Sequence, residues 1–215
     1  MQIKPSQERP WLKYYPKASR DAIKVEGSIY NYLEKTVKSY PDGKALYYYG
    51  TRFTYKEFLN KVDRCADAFY SLGIRSGEIV SFLSVATPES IFAMYGLNKI
   101  GAISNFIDPR MDAQRILDTI NLAQSNVLVS LNIALHKVES IYDKLALKNI
   151  IVQSATDSLS PLKKIGYKLK EISPLIPKWD KLILWEDFIS ESISGVAKKS
   201  SFLKDDLAMI TYTGG

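Results

Sequence analysis

The residues best suited to chemistry in this chain are its last five, Thr211-Tyr212-Thr213-Gly214-Gly215. They continue an apolar run, and the stretch from Leu207 to Tyr212 reads as a short buried strand. A strand that runs into small hydroxyl and glycine residues can build an anion cradle. Glycine, with no Cβ, lets successive backbone N–H groups converge on a phosphate, and a threonine hydroxyl adds a donor. Thr213, Gly214 and Gly215 are therefore the candidate nucleotide-binding residues. The competing reading is a plain turn after a strand, because short glycine motifs recur by chance.

Few other residues offer chemistry. The single cysteine, Cys65, lies on the apolar side of an expected helix and reads as a small core residue. One cysteine excludes an internal disulfide framework and a cysteine metal site. The single histidine, His136, leaves no histidine cluster and reads as a surface or packing residue. No metal site is expected. Glu57, Lys99 and Asp108 are better explained structurally, as a helix cap, a helix-end cation and the start of a turn.

The elements that must position the terminal residues follow from periodicity. Ser28 caps a helix through Ile29, Tyr32, Leu33, Thr36 and Val37, which Pro41-Asp42-Gly43 ends. Lys44 to Tyr49 and Arg52-Phe53-Thr54 form a hairpin about Gly50-Thr51. Thr54 and Glu57 make a capping box for a helix that carries Phe58, Val62, Cys65, Phe69 and Leu72 on one face and stops at Gly73. Strands are expected at Glu78–Val85, Ala102–Ile107, Val127–Ser130 and Asn149–Val152. Between them lie a helix from Thr87-Pro88 to Gly101, one from Asp112, and one through Leu135, Val138, Ile141 and Leu145. Strands alternating with helices of this length imply βαβ units: an α/β fold, a largely parallel β-sheet with helices on both faces. Residues 1–27 read as an extended arm whose Trp11, Tyr14 and Tyr15 pin it to the body. Residues 154–204, rich in serine and lysine, read as a surface excursion with an amphipathic helix at Leu162–Ile172, a short strand at Lys181–Trp185 and a weaker helix at Ile189–Ala197.

Three segments, in order, resemble the core motifs of the adenylate-forming (AMP-binding) superfamily of acyl-CoA synthetases, luciferases and peptide-synthetase adenylation domains. Phe53-Thr54-Tyr55-Lys56-Glu57-Phe58-Leu59 resembles the first. Leu97-Asn98-Lys99-Ile100-Gly101-Ala102, through Asp108-Pro109, resembles the second. Asp206 through Tyr212-Thr213-Gly214-Gly215 resembles the opening of the third, which in the family continues as a phosphate loop ending in Pro-Lys-Gly. The Tyr-Thr-Gly-Gly variant is similar to fatty acyl-CoA synthetases. The resemblance takes in residues 28–215 and implies an N-terminal fragment of the AMP-binding domain, truncated inside the phosphate loop.

What the resemblance implies is an ATP-dependent ligase. A carboxylate, here a fatty acid, attacks the α-phosphate of ATP, and the acyl-adenylate is captured by a thiol, that of coenzyme A or of a carrier arm. ATP, Mg2+ and CoA belong to the full-length enzyme. The family's loop lysine, its ribose-holding aspartate, its magnesium-associated glutamate and the lysine on its mobile C-terminal domain fall beyond residue 215, so no catalytic residue is expected in this chain and the fragment itself should be inactive. Alternatives are a non-catalytic nucleotide-binding module, or an α/β module that docks on a partner or a membrane surface. The net charge of +6 is spread along the chain and forms no nucleic-acid-binding module. No run is long and apolar enough to span a bilayer and no export signal opens the chain, so a cytoplasmic protein is expected.

Overall fold

In the computed structural model, residues 10–17, 19, 26–160, 163, 176–201, 203 and 205–212 are described. Helix α1 (Ile29–Ser39) precedes a hairpin of β1 (Lys44–Tyr48) and β2 (Thr51–Thr54). Then follow α2 (Tyr55–Ser71), β3 (Ile79–Leu83), α3 (Pro88–Ile100), β4 (Ile103–Ile107), α4 (Ala113–Leu122), β5 (Val127–Leu131), α5 (Leu135–Glu139) and β6 (Asn149–Gln153). The described chain ends with β7 (Leu182–Leu184), α6 (Trp185–Ser190) and β8 (Met209–Ile210).

The main sheet has the order β7-β6-β5-β3-β4-β8, and every pairing in it is parallel. The α/β fold with helices on both faces is as the periodicity implies. From β3 the chain steps through α3 to β4, then reverses past β3 through α4 to β5. Right-handed crossovers in opposite directions put their helices on opposite faces. The cores show this. Ile116, Leu117 and Ile120 of α4 and Leu135 and Val138 of α5 pack on one face with Leu83, Ile107, Leu128 and Ile150. On the other face Ala66 and Phe69 of α2 and Ala93, Leu97 and Ile100 of α3 pack with Val80, Phe82, Val129 and Ile151.

Local signals produce the helix ends. Thr54 Oγ1 accepts the Glu57 N–H while the Glu57 carboxylate accepts the Thr54 N–H, a reciprocal cap. Thr87 caps α3 with Pro88 behind it, and Gly101 closes the helix at φ 77°, a left-handed conformation that favours glycine.

Several expectations are corrected. The helix expected through Leu135 to Leu145 is three short pieces: a 3-10 turn at Asn132–Ala134, α5, and a second 3-10 turn at Tyr142–Lys144. The helix expected at Ile189–Ala197 starts instead at Trp185 and ends at Ser190. The segment after it is tied down by Asp67, a buried carboxylate that accepts the N–H of Gly195 at 2.7 Å and of Ala197 at 2.8 Å. Asp67→Ala removes both charge-assisted bonds, and a loss of about 2 kcal/mol is expected in urea unfolding. The strand read as buried over Leu207–Tyr212 is only two residues long, and Leu207 and Met209 are exposed, because β8 is the outer strand and has one neighbour among the described residues. Trp11, Tyr14 and Tyr15 leave about half or more of their surface exposed (45%, 78% and 50%), so they do not bury against the body. Within the segment read as a surface excursion, β7 extends the sheet beside β6, and Phe188 of α6 is buried against Phe69. The helix expected at Leu162–Ile172 lies outside the described residues.

Candidate functional site

In an open parallel sheet the crevice forms at the carboxyl ends of the strands, where neighbouring chains leave towards opposite faces. Here that point is β3. Its outgoing helix α3 lies on one face, and those leaving β4 and β5 lie on the other. β8 joins next to β4, with Ser104 opposite Met209 and Asn105 opposite Ile210. Because the pairing is parallel, Thr211 and Tyr212 emerge at this same carboxyl edge. They line a cavity of about 500 Å³ together with Ser84, Val85, Asp108 and Arg110. Thr213, Gly214 and Gly215 follow Tyr212 directly in sequence but lie outside the described residues.

The rim is built from hydrogen-bonded groups. Asp108 opens the turn after β4, and Arg110 folds back on it, with Nη2 donating to Oδ2 at 2.6 Å and the Arg110 N–H donating to Oδ1 at 2.8 Å. Lys137 of α5 braces the same turn by donating to the carbonyls of Pro109 at 2.7 Å and Met111 at 2.8 Å. At the end of β3, Ser84 accepts a hydrogen bond from the fully buried Gln153, whose amide also donates to Ser90 at 2.6 Å. Thr87 donates to Ser90 at 3.0 Å, so this network fixes the β3–α3 turn. Tyr212 donates from its hydroxyl to Asn105 at 2.8 Å. Burial raises the Tyr212 phenol above its ordinary value.

Asp108 gives a pH signature. Hydrogen bonds from the Arg110 guanidinium, then from its backbone N–H, hold the carboxyl down at about 2. Its charged form is the one favoured by the fold, so its contribution is complete above the ordinary carboxyl pKa of ~4 and is lost as pH falls from there towards 2. Both groups face solvent, which screens the pair. In a carboxyl-carbon NMR titration, Arg110→Ala should let the Asp108 pKa rise towards the ordinary value. An Asp108 that still titrates near 2 in that variant would show that the guanidinium is not the cause.

The other residues singled out by type sit elsewhere. Glu57 is the cap of α2. Lys99 is more than a helix-end cation: its Nζ donates to Asp63 at 2.9 Å across the α2–α3 interface, and Tyr30 donates to the same oxygen at 2.8 Å. Cys65 is buried, and burial pushes its thiol up, so it is protonated and packs as an apolar group. His136 is exposed, with Nδ1 at 2.9 Å from the Ile133 carbonyl. Two further cavities, of about 410 and 420 Å³, lie between α2, α3 and α6 and at the amino ends of β3, β4 and β8. Tyr212 lines neither. Among the described residues no group of three or more His, Cys, Asp or Glu could hold a metal ion. No described helix is long and apolar enough to cross a membrane.

Arg110, Gln153 and Asn105 were not singled out by sequence reasoning. The available signal was anomaly: Ser81, Asn105, Ser130 and Gln153 interrupt otherwise apolar buried strands.

Comparison with known proteins bears on the family and the fold. The family described as AMP-binding enzyme matches residues 33–215. A long-chain-fatty-acid–CoA ligase of Escherichia coli O6:H1 is 24% identical over 216 residues, covering 97% of this chain and 38% of that protein. The ligase of the same name from Bacillus subtilis is 22% identical over 213 residues, with the same shares covered. This chain therefore spans 38% of the length of these two ligases. Among solved structures, an anthranilate CoA ligase in complex with anthranoyl-AMP superposes with a TM-score of 0.73 at 20% identity, over 93% of this chain and 34% of that one. A benzoate CoA ligase from Burkholderia xenovorans superposes at 0.65 and 16% identity, over 85% of this chain and 32% of that one. At such identities these two speak for the fold. The family match takes in residues 33–215, most of the sequence, and on that ground the chain belongs to the AMP-binding enzyme family.

Proposed function

We propose that this chain is the N-terminal part of an ATP-dependent, carboxylate-activating ligase that forms an acyl-adenylate and then an acyl-CoA thioester. The observation that carries the reading is the parallel pairing of β8 with β4. It brings Thr211 and Tyr212, which directly precede Thr213-Gly214-Gly215 in sequence, to the cavity at the carboxyl ends of β3 and β4. The physical problem in such a reaction is the approach of two anions, a carboxylate and a triphosphate. Fixed donors aimed at the phosphate solve it better than water does, because they need no reorganisation as charge moves.

In this reading Thr213 offers its hydroxyl to a phosphate oxygen, and Gly214 and Gly215 let the backbone approach closely. Arg110 lies at the mouth, paired with Asp108. The names of the curated relatives favour a fatty acid as the carboxylate, with CoA as acceptor. Magnesium, when bound, would offset phosphate charge, with ligands from outside the described residues. No described side chain is placed to move a proton or attack an acyl group, so the 215-residue chain alone is expected to be inactive.

The test is carboxylate-dependent ATP–pyrophosphate exchange with a panel of fatty acids. A protein extended to the length of the relatives should exchange with at least one acid, and the 215-residue chain should stay at background. Exchange by the chain alone, or none by the extended protein with any carboxylate, would contradict the proposal.

A further inference from the structure

β8 is too short to hold its own register. Two residue pairs, Ser104 with Met209 and Asn105 with Ile210, make up its ladder. A slip of one residue would turn every β8 side chain to the opposite face. A side-chain bond supplies what the ladder lacks. The Tyr212 hydroxyl donates to Asn105 Oδ1 at 2.8 Å. Asn105 is fully buried and its Nδ2 donates to Ser81 Oγ at 2.9 Å, while the Ser81 N–H donates to Ser125 Oγ at 3.0 Å. A polar chain thus links β4 to β3, with Tyr212 just after β8 and Ser125 just before β5 at its ends. A buried amide is stable there only when its oxygen and its nitrogen both have partners. Tyr212 is the residue whose reach and hydroxyl complete the set, and a shifted β8 would present a different side chain to Asn105.

We propose that Asn105 is a positioning residue: by gripping Tyr212 it fixes the register of β8, and so the point at which the chain enters the cavity beside Ser84 and Asp108. The consequence for nucleotide binding rests on the function proposed above; the pin itself does not.

Hydrogen–deuterium exchange separates the two. In Asn105→Leu and in Tyr212→Phe, the peptide carrying β8 should exchange roughly threefold to tenfold faster, as for the loss of one hydrogen bond. The double variant should exchange no faster than either single one, and the peptide carrying β5 should be unchanged. In chain labelled with carbon-13 at the tyrosine ring, the Tyr212 Cζ resonance should move in Asn105→Leu. Should Asn105→Leu fail to fold, Tyr212→Phe, a half-exposed position, carries the test. Unchanged β8 exchange in Tyr212→Phe, or equal acceleration of β5, overturns the pin. In the extended protein, Tyr212→Phe should raise KM for ATP several-fold with kcat less affected. Altered β8 exchange together with no pyrophosphate exchange by the unsubstituted extended protein would remove the functional reading and leave the pin in place.

Discussion

Truncation of Phe82 to alanine is expected to destabilise the chain by about 4 kcal/mol, within the range for a large buried aromatic in a core that cannot collapse around the void. Phe82 lies in β3, is fully buried, and its ring stacks on Phe106 at 4.9 Å between centroids. β3 is flanked by β4 and β5 and covered by helices on both faces, so the neighbours have little freedom to close in. A domain of this size typically has roughly 5–15 kcal/mol in hand, so such a loss should move the urea midpoint far down with an unchanged m value. Because β3 also holds Ser84 at the rim of the candidate site, the variant should loosen that site before the chain unfolds. A shift below about 1 kcal/mol would mean that the sheet does not close over Phe82 as described.

Gly96→Val is the second large effect, and it acts on helix packing rather than on the sheet. Gly96 sits in α3 where α2 crosses it closely. A Cβ there would lie 2.8 Å from the Ala66 backbone nitrogen, 3.0 Å from Cys65 Cβ and 3.0 Å from the Val62 carbonyl oxygen. Two of these are backbone atoms of a helix and cannot rotate away. Glycine in a helix costs about 1 kcal/mol relative to alanine, so replacement brings some gain in propensity. Forcing α2 and α3 apart costs more, and a β-branched side chain increases the overlap. The expected net loss is about 3 kcal/mol, with Gly96→Ala losing less. Thermal unfolding of both variants checks the order. A stabilised Gly96→Ala would show that α2 yields at the crossing and that the close approach is not what selects glycine.

The parts of the fold legible in the sequence are those decided within a few residues. The Thr54–Glu57 box, the Thr87-Pro88 start and the Gly101 stop each satisfy backbone groups locally, so residue type alone announces them. The strands from Ile79 to Gln153 are apolar on both faces because helices cover both faces. What was not legible was set by partners far along the chain. The spacing Leu135, Val138, Ile141, Leu145 fits one helix, yet it also fits successive single turns that meet the same core, and Ile141 at φ −124° breaks the run. The end of α6 is followed by a segment held by Asp67, more than a hundred residues earlier in the chain. Leu207 and Met209 read as buried because hydrophobicity records what a position tolerates, and does not record where a sheet has its edge. At the candidate site the glycines announced a turn, but the groups that frame it, Arg110 on Asp108 and Asn105 under Tyr212, depend on which strands became neighbours.

The central claim is that a nucleotide phosphate is received at the carboxyl ends of β3, β4 and β8. The most direct measurement is a backbone NMR titration of the chain with ATP at millimolar concentration, where even weak binding leaves shift changes. The account predicts that they concentrate at Ser84, Val85, Asp108, Arg110, Thr211 and Tyr212. Changes confined to the cavity at the amino ends, around Ser76, Gly77 and Ser200, or to the one between α2 and α6, around Arg64 and Ile189, would contradict it.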